Sequence, residues 1–297
     1  MGNKARFVQS GFLDSTSPSR LATLGAPGRR LKRQIAATAF ISRLFLWLIF
    51  MPIPIGKVRR RGLAVRLARF IFPYKVAGHT PEASQNGQIF VINHPTLNDP
   101  LCAIAYALGM YPGRKMIIPV NLPWYEGICK YRGKLLTLGV NIVPILTPET
   151  AKRLGEQAPV AEIQRGLMAD YMAALVDTLA AGGLAVVAQQ ATRRRHVFCD
   201  AGQAANGEGI LATVSFILAG LRRAKLMDRA EIVPLGVVPH SLQAKARLNP
   251  FCRYTLCVGA PILAADLGAA KNAARRPADF YVLQKLAELL PKAYHFA

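Results

Sequence analysis

Gln88-Ile89-Phe90-Val91-Ile92-Asn93-His94-Pro95-Thr96-Leu97-Asn98-Asp99-Pro100 is the stretch from which the fold of this chain of 297 residues is read. Its first part, 88–92, is apolar and rich in β-formers, and turn residues break it at once. A histidine then stands at the end of the strand, and an aspartate follows five residues later, just before the apolar run 100–108. On one continuous helix, five residues turn through about 500°, which leaves the two side chains roughly 140° apart. The pair therefore meets only if His94 lies in a turn and Asp99 in the first turn of the next helix. Thr96 or Asn98 is then placed to cap that helix, and Asp99 sits near its positive end.

A histidine next to a carboxylate is a general base in waiting. Its unperturbed pKa lies nearest neutrality, and the carboxylate holds one tautomer and stabilises the imidazolium. That chemistry suits proton removal from an alcohol. The same pair, taken alone, also fits a purely structural hydrogen bond.

Working outward, short β-rich runs alternate with helical ones. Strands are expected at 88–93, 115–120, 140–145, 183–188, 231–238 and 254–258, and helices at 100–108, 158–181, 210–226 and 278–290. Near-continuous apolar strands between helices predict an α/β fold with a central, largely parallel sheet covered on both faces. Sites in such folds collect beyond the carboxyl ends of the strands, where His94 falls.

With its context, the string Asn93-His94-x-Thr96-x-x-Asp99-Pro100 resembles the first signature block of the PlsC-like glycerolipid (lysophospholipid) acyltransferases. The resemblance implies that His94 and Asp99 are a catalytic pair, with Asn93 and Thr96 at the substrate site. It extends over about residues 76–262. Val76-Ala77-Gly78 and Asn86-Gly87 resemble the approach to the first block, and Leu138-Gly139-Val140-Asn141-Ile142 is similar to the second. The second block of the family ends in an arginine for the acceptor phosphate. Here that place falls near Ile145, and the nearest cations are Lys152 and Arg153.

The family's third block is Phe-Pro-Glu-Gly-Thr-Arg after a glycine pair. This chain has Gly182-Gly183, but then reads Ala188-Gln189-Gln190-Ala191-Thr192-Arg193. Gln190 stands in for the glutamate, while Thr192 and Arg193 keep the motif, so these three join the expected substrate-binding set. Arg193, Arg194 and Arg195 together make a candidate phosphate or oxyanion cradle, or else a solvated basic loop. Ile232-Val233-Pro234-Leu235-Gly236 resembles the fourth block, and Val258-Gly259-Ala260-Pro261-Ile262 the closing turn.

Composition narrows the setting. Formal net charge is +22 and 52% of residues are hydrophobic, with a mean hydropathy of +0.23. The partner surface is expected to be acidic: anionic lipid, an acidic carrier protein or nucleic acid, of which nucleic acid rests on charge alone and is not expected. The five cysteines (102, 129, 199, 252, 257) form no CxxC pair, and the histidines show no metal-ligand spacing with them. That favours reduced thiols over a disulfide framework and no metal site.

Residues 1–28 are expected to be a disordered tail. Residues 29–75 read as membrane-associated helices ahead of an α/β domain at 76–297. A basic cluster (Arg29, Arg30, Lys32, Arg33) precedes the apolar run 35–51, which carries Arg43; Pro52 and Pro54 end it, and Lys57, Arg59, Arg60 and Arg61 follow. The second segment, 63–72, puts Arg66 and Arg69 on one face among Leu63, Val65, Leu67, Phe70 and Ile71. The pair is expected to form an amphipathic hairpin in the headgroup region, where anionic lipid attracts it by roughly 1 kcal/mol per basic residue. A soluble amphipathic packing helix is the other reading.

Other signals carry less. Gly207-x-Gly209 lacks the preceding strand of a dinucleotide site, and there is no G-x-S-x-G elbow. Trp124 and Tyr125 are expected to pack a loop, and His196 with Asp200 to lie in surface loop chemistry.

The expected activity is O-acyl transfer in membrane phospholipid synthesis. Acyl-CoA or acyl carrier protein is the donor and a lysophospholipid the acceptor, lysophosphatidic acid by default. No cofactor is called for, and the enzyme is expected on the cytoplasmic face of a membrane. The altered blocks keep open another lysolipid or amphiphile, or a catalytically degenerate lipid-binding relative.

Overall fold

A computed structural model describes residues 57–79, 84–96, 99–147, 150–152, 158–189, 196–198, 203, 210–240, 252–269 and 277–295. Helix α1 (Lys57–Ile71) leads into β1 (Tyr74–Gly78) and β2 (Gly87–Ile92). Then come α2 (Asp99–Met110), β3 (Met116–Asn121), the short α3 (Leu122–Ile128) and α4 (Arg132–Thr137), and β4 (Val140–Ile145). The long α5 (Ala158–Ala180) precedes β5 (Leu184–Ala188), α6 (Thr213–Arg223) and β6 (Ala230–Pro239). The chain closes with β7 (Tyr254–Val258), β8 (Ile262–Leu263), α7 (Ala264–Ala269) and α8 (Pro277–Leu289).

The strands form one sheet in the order β1-β7-β6-β2-β5-β3-β4, with β8 on β6. β2 runs parallel to both of its neighbours, β5 and β6, and β3 is parallel to β4 and β5. β6 meets β7 and β8 antiparallel, so the sheet is mixed and largely parallel. Between the pairs Leu235↔Val258 and Ile232↔Ile262, three steps along β6 face four along its partner, a one-residue bulge at Gly259-Ala260-Pro261. The stretch expected to be a closing turn is therefore a bulge that carries one edge line from β7 into β8.

Every residue of β2 is buried. Ile89 and Val91 face the layer of α5, α6 and α8 with Leu175, Ile217 and Leu283, while Phe90 and Ile92 face the layer of α1 and α2 with Cys102 and Tyr106. Successive side chains on a strand point to opposite faces, so a strand covered on both must be apolar throughout. That is why 88–92 reads as an unbroken apolar run.

The glycine pair after α5 ends that helix. Gly182 takes φ +68°, and the Gly182 and Gly183 amides donate to the carbonyls of Leu179 and Thr178 at 2.9 and 2.8 Å. This doubled C-terminal cap needs a residue that tolerates the left-handed region. A Cβ on Gly183 would lie 2.6 Å from the Thr178 carbonyl oxygen.

Helix α1 differs from its expected role. Arg61, Ala64 and Ala68 are buried, and Val65, Leu67 and Ile71 pack against the core beside α2. Leu63 and Phe70 remain exposed, as do Arg66 and Arg69. Of the apolar face expected to meet lipid, Val65, Leu67 and Ile71 thus pack partly buried against the protein, while Leu63 and Phe70 are left exposed. β1 starts at Tyr74, two residues ahead of the expected domain start at 76. The other half of the expected hairpin, 35–51, lies outside the described residues, as does the tail 1–28. Among the described residues, no helix is long and apolar enough to cross a membrane.

Candidate active site

The sheet positions the site before any side chain does. The chain leaves β2 through α2, over the α1/α2 face, towards β3; it leaves β5 through α6, over the opposite face, towards β6. Neighbouring strands whose outgoing connections diverge to opposite faces open a crevice at their carboxyl ends. His94 lies two residues beyond the pair Ile92↔Ala188, past the carboxyl end of β2. On the β5 side the Gln189 amide continues the ladder, donating to the Ile92 carbonyl at 3.1 Å.

His94 and Asp99 meet as the spacing requires. His94 lies just before the bend at Pro95-Thr96, Asp99 is the first residue of α2, and Nδ1 of the imidazole is 3.3 Å from Oδ2 of the carboxylate. The imidazole keeps 16% of its side-chain surface exposed, whereas the carboxylate keeps none. A proton on Nδ1, donated to the carboxylate, would leave Nε2 as the basic nitrogen.

Asp99 is held by more than histidine. The Thr96 amide donates to Oδ2 and the Thr96 hydroxyl to Oδ1, both at 2.5 Å. Burial pushes the Asp99 carboxyl above the usual carboxylate range, opposed by the His94 hydrogen bond and charge and by both Thr96 donors. Of the two candidate helix caps, Thr96 thus directs its hydroxyl at Asp99, and Asn98 lies outside the described residues.

Asn93, expected at the substrate site, is buried with its side-chain amide turned to β6. Its Nδ2 donates to the Val237 carbonyl at 3.0 Å and its Oδ1 accepts from the Val237 amide at 2.6 Å. The side chain imitates one more step of backbone pairing with β6 after β2 has ended, and so fixes where His94 starts. Thr96 is likewise sealed behind the carboxylate, with 0% of its surface exposed. Its hydroxyl also lies 3.3 Å from the phenol oxygen of Tyr254 on β7, a residue the sequence did not single out.

The β5 side carries a second buried polar cluster. Asp279 of α8 accepts from the Gln189 side-chain amide at 2.8 Å, from the Val214 amide at 2.6 Å and from the Ser215 amide at 3.0 Å, and also from the Ser215 hydroxyl. The N-cap position of α6 is Ala212, which has no side chain to cap with, so a carboxylate from a distant helix takes the role. No local signal marks Asp279, because the amides it satisfies are more than sixty residues earlier in the chain.

Gln190, Thr192 and Arg193, with Arg194 and Arg195, lie outside the described residues. In sequence they follow Gln189, just after β5, the strand that pairs with β2. At the second-block position, Ile145 is the last residue of β4 and packs partly buried against the core; Lys152 is exposed, and Arg153 lies outside the described residues. Trp124 and Tyr125, expected in a loop, belong to the short helix α3, with Tyr125 buried. The Gly207-x-Gly209 segment and Asp200 lie outside the described residues.

Cys102 is fully buried beside this site, and burial, with the charge of Asp99, pushes its thiol well above the ordinary cysteine value. A buried thiol with a raised pKa is a poor nucleophile. Among the described residues, no group of three or more His, Cys, Asp or Glu side chains is arranged to hold a metal ion.

In comparisons with known proteins, no family model and no curated protein matches this chain.

Proposed function

We propose that this protein is an O-acyltransferase that moves a fatty acyl group from a thioester to the hydroxyl of a lysophospholipid at a membrane surface. The observation that carries the reading is the His94 Nδ1–Asp99 Oδ2 approach of 3.3 Å beyond the carboxyl end of β2. In this reading His94 Nε2 takes the proton from the acceptor hydroxyl as its oxygen attacks the thioester carbonyl carbon. The new C–O bond gives a tetrahedral oxyanion. Its collapse breaks the C–S bond, and the imidazolium returns the proton to the departing thiolate. Asp99 keeps Nδ1 protonated and stabilises the imidazolium.

Acyl-CoA and acylated carrier protein are both anionic donors suited to a chain of net charge +22. Lysophosphatidic acid is the default acceptor, and Arg193, with Arg194 and Arg195, is its proposed phosphate partner. The membrane surface is proposed from the apolar run 35–51 between its two basic clusters. On α1, exposed Leu63 and Phe70 beside Arg66 and Arg69 agree with it.

The test is the full chain incubated with palmitoyl-CoA or palmitoyl carrier protein and a panel of lysolipids in anionic vesicles, with product identified by mass spectrometry. Diacyl product is expected from wild type and not from His94→Ala. No acyl transfer from either donor to any lysolipid would overturn the proposal.

A further inference from the structure

We infer that Tyr254 is a positioning residue for the His94–Asp99 pair, acting through the hydroxyl of Thr96; this rests on the general-base reading of His94. An ionised carboxylate only accepts hydrogen bonds. At 2.5 Å from Asp99 Oδ1, the Thr96 hydroxyl therefore points its one hydrogen at that oxygen. The contact of 3.3 Å between Thr96 Oγ1 and the Tyr254 oxygen then has only one possible donor, the phenol. The order is Tyr254 O–H to Thr96 O–H to Asp99, with His94 Nδ1–H on the other carboxylate oxygen.

Tyr254, Thr96 and Asp99 are each 0% exposed, so no water competes along this chain. Out of water, successive hydrogen bonds polarise one another, and a donor to Thr96 strengthens the bond that Thr96 makes to the carboxylate. The order also depends on charge. If Asp99 takes a proton, its hydroxyl can donate to Thr96, and the Tyr254–Thr96 bond loses its fixed direction. A donating phenol thus favours the ionised form of Asp99, the form that keeps His94 in its productive tautomer. Burial keeps the Tyr254 phenol protonated by pushing its pKa far up.

Tyr254 is also well anchored. Its amide donates to the Pro73 carbonyl at 2.9 Å, and it stands opposite Tyr74 of β1 and Pro239 of β6 in the sheet. The backbone of Tyr254 is thus fixed by the sheet on both sides, and its phenol ties Thr96 to that sheet.

The experiment compares full-length wild type, Tyr254→Phe, Thr96→Val, Thr96→Ser and the Tyr254→Phe/Thr96→Val double variant, each carrying 13C-labelled aspartate. The Asp99 carboxyl resonance is assigned by its loss in Asp99→Asn and titrated by NMR, and kcat/KM is followed against pH with palmitoyl-CoA. Removing the phenol oxygen is expected to move both the Asp99 titration and the acidic limb of the rate profile to higher pH. It is also expected to lower kcat by about three- to tenfold at neutral pH with KM unchanged. Thr96→Val shifts the titration further, Thr96→Ser restores it, and adding Tyr254→Phe to Thr96→Val moves it no more. An unmoved titration in Tyr254→Phe, or an equal move with and without the Thr96 hydroxyl, overturns the inference. Because the titration needs no turnover, a wild type that fails to transfer acyl groups counts against the acyltransferase reading alone.

Discussion

Asn93 grips Val237 at both ends of one peptide position, donating from Nδ2 to the carbonyl at 3.0 Å and accepting at Oδ1 from the amide at 2.6 Å. All of these groups are buried. Asn93→Ala leaves a buried amide and a buried carbonyl of β6 without these partners, at about 1–3 kcal/mol each. The expected loss is roughly 2–6 kcal/mol in urea unfolding, with kcat falling because His94 is the next residue. Unchanged unfolding in Asn93→Ala would show that the pairing does not hold the strand ends together.

Nucleophile identity separates two chemistries. His94→Ala should lower kcat by on the order of 10²–10⁴, while Cys102→Ala should keep wild-type kcat once the protein is folded. Burial and the charge of Asp99 both hold the Cys102 thiol protonated. Acyl-enzyme on a cysteine, detected by intact mass after brief mixing with acyl-CoA, would contradict the histidine mechanism.

Asp99 sets stability against activity, and the sign can be worked out. Burial raises its folded pKa above the unfolded value. The stability it contributes is therefore fully present below the unfolded pKa and is lost as pH rises through the folded pKa. Relative to Asp99→Asn, wild type should lose stability between acid and neutral pH, while its turnover rises over the same range as the carboxylate ionises. Thermal melts and rates of both proteins across pH 4 to 8 check this; parallel stability curves would refute it.

Glu231 behaves in the opposite sense. Burial pushes its carboxyl up, but hydrogen bonds from Gln88, Asn86 and Ser84, with the charge of Arg114, more than offset it and hold its pKa below the ordinary value. The donors lie 3.0, 2.8 and 2.8 Å away and tie the approach to β2 onto the start of β6. This stability is present above the unfolded pKa and is lost as pH falls through the folded pKa. Glu231→Gln should unfold more easily than wild type at neutral pH, with the difference closing in acid, as followed by denaturant midpoints.

Asp279 is expected to behave as a structural carboxylate. Asp279→Ala strips buried partners from the Val214 and Ser215 amides and from Gln189, at an expected cost of about 3–5 kcal/mol. Hydrogen exchange should rise first at the start of α6. A midpoint unchanged in Asp279→Ala would mean that solvent replaces the missing acceptor.

How much of this was legible depends on distance along the chain. The strands expected at 140–145 and 254–258 occur as Val140–Ile145 and Tyr254–Val258, and the long helix expected at 158–181 occurs as Ala158–Ala180. Each is set by local hydrophobic periodicity, which a sequence displays directly. The meeting of His94 and Asp99 was readable for the same reason, since five residues of turn geometry leave few arrangements. α3 and α4 were not expected, because their short mixed runs carry no clear period. The packing of Val65, Leu67 and Ile71 against the core was not legible, because periodicity shows that a helix has an apolar face but not what covers it.

By itself, then, the sequence determined the alternation of strands and helices, the sheet buried on both faces and the turn that joins one imidazole to one carboxylate, because those follow from residues close together in the chain. Only the tertiary structure decided that Tyr254 reaches Thr96, that Asn93 braces Val237 and that Asp279 caps a helix it does not belong to. Those contacts join residues more than sixty positions apart, and strand order and register, which no local pattern encodes, bring them within hydrogen-bonding reach.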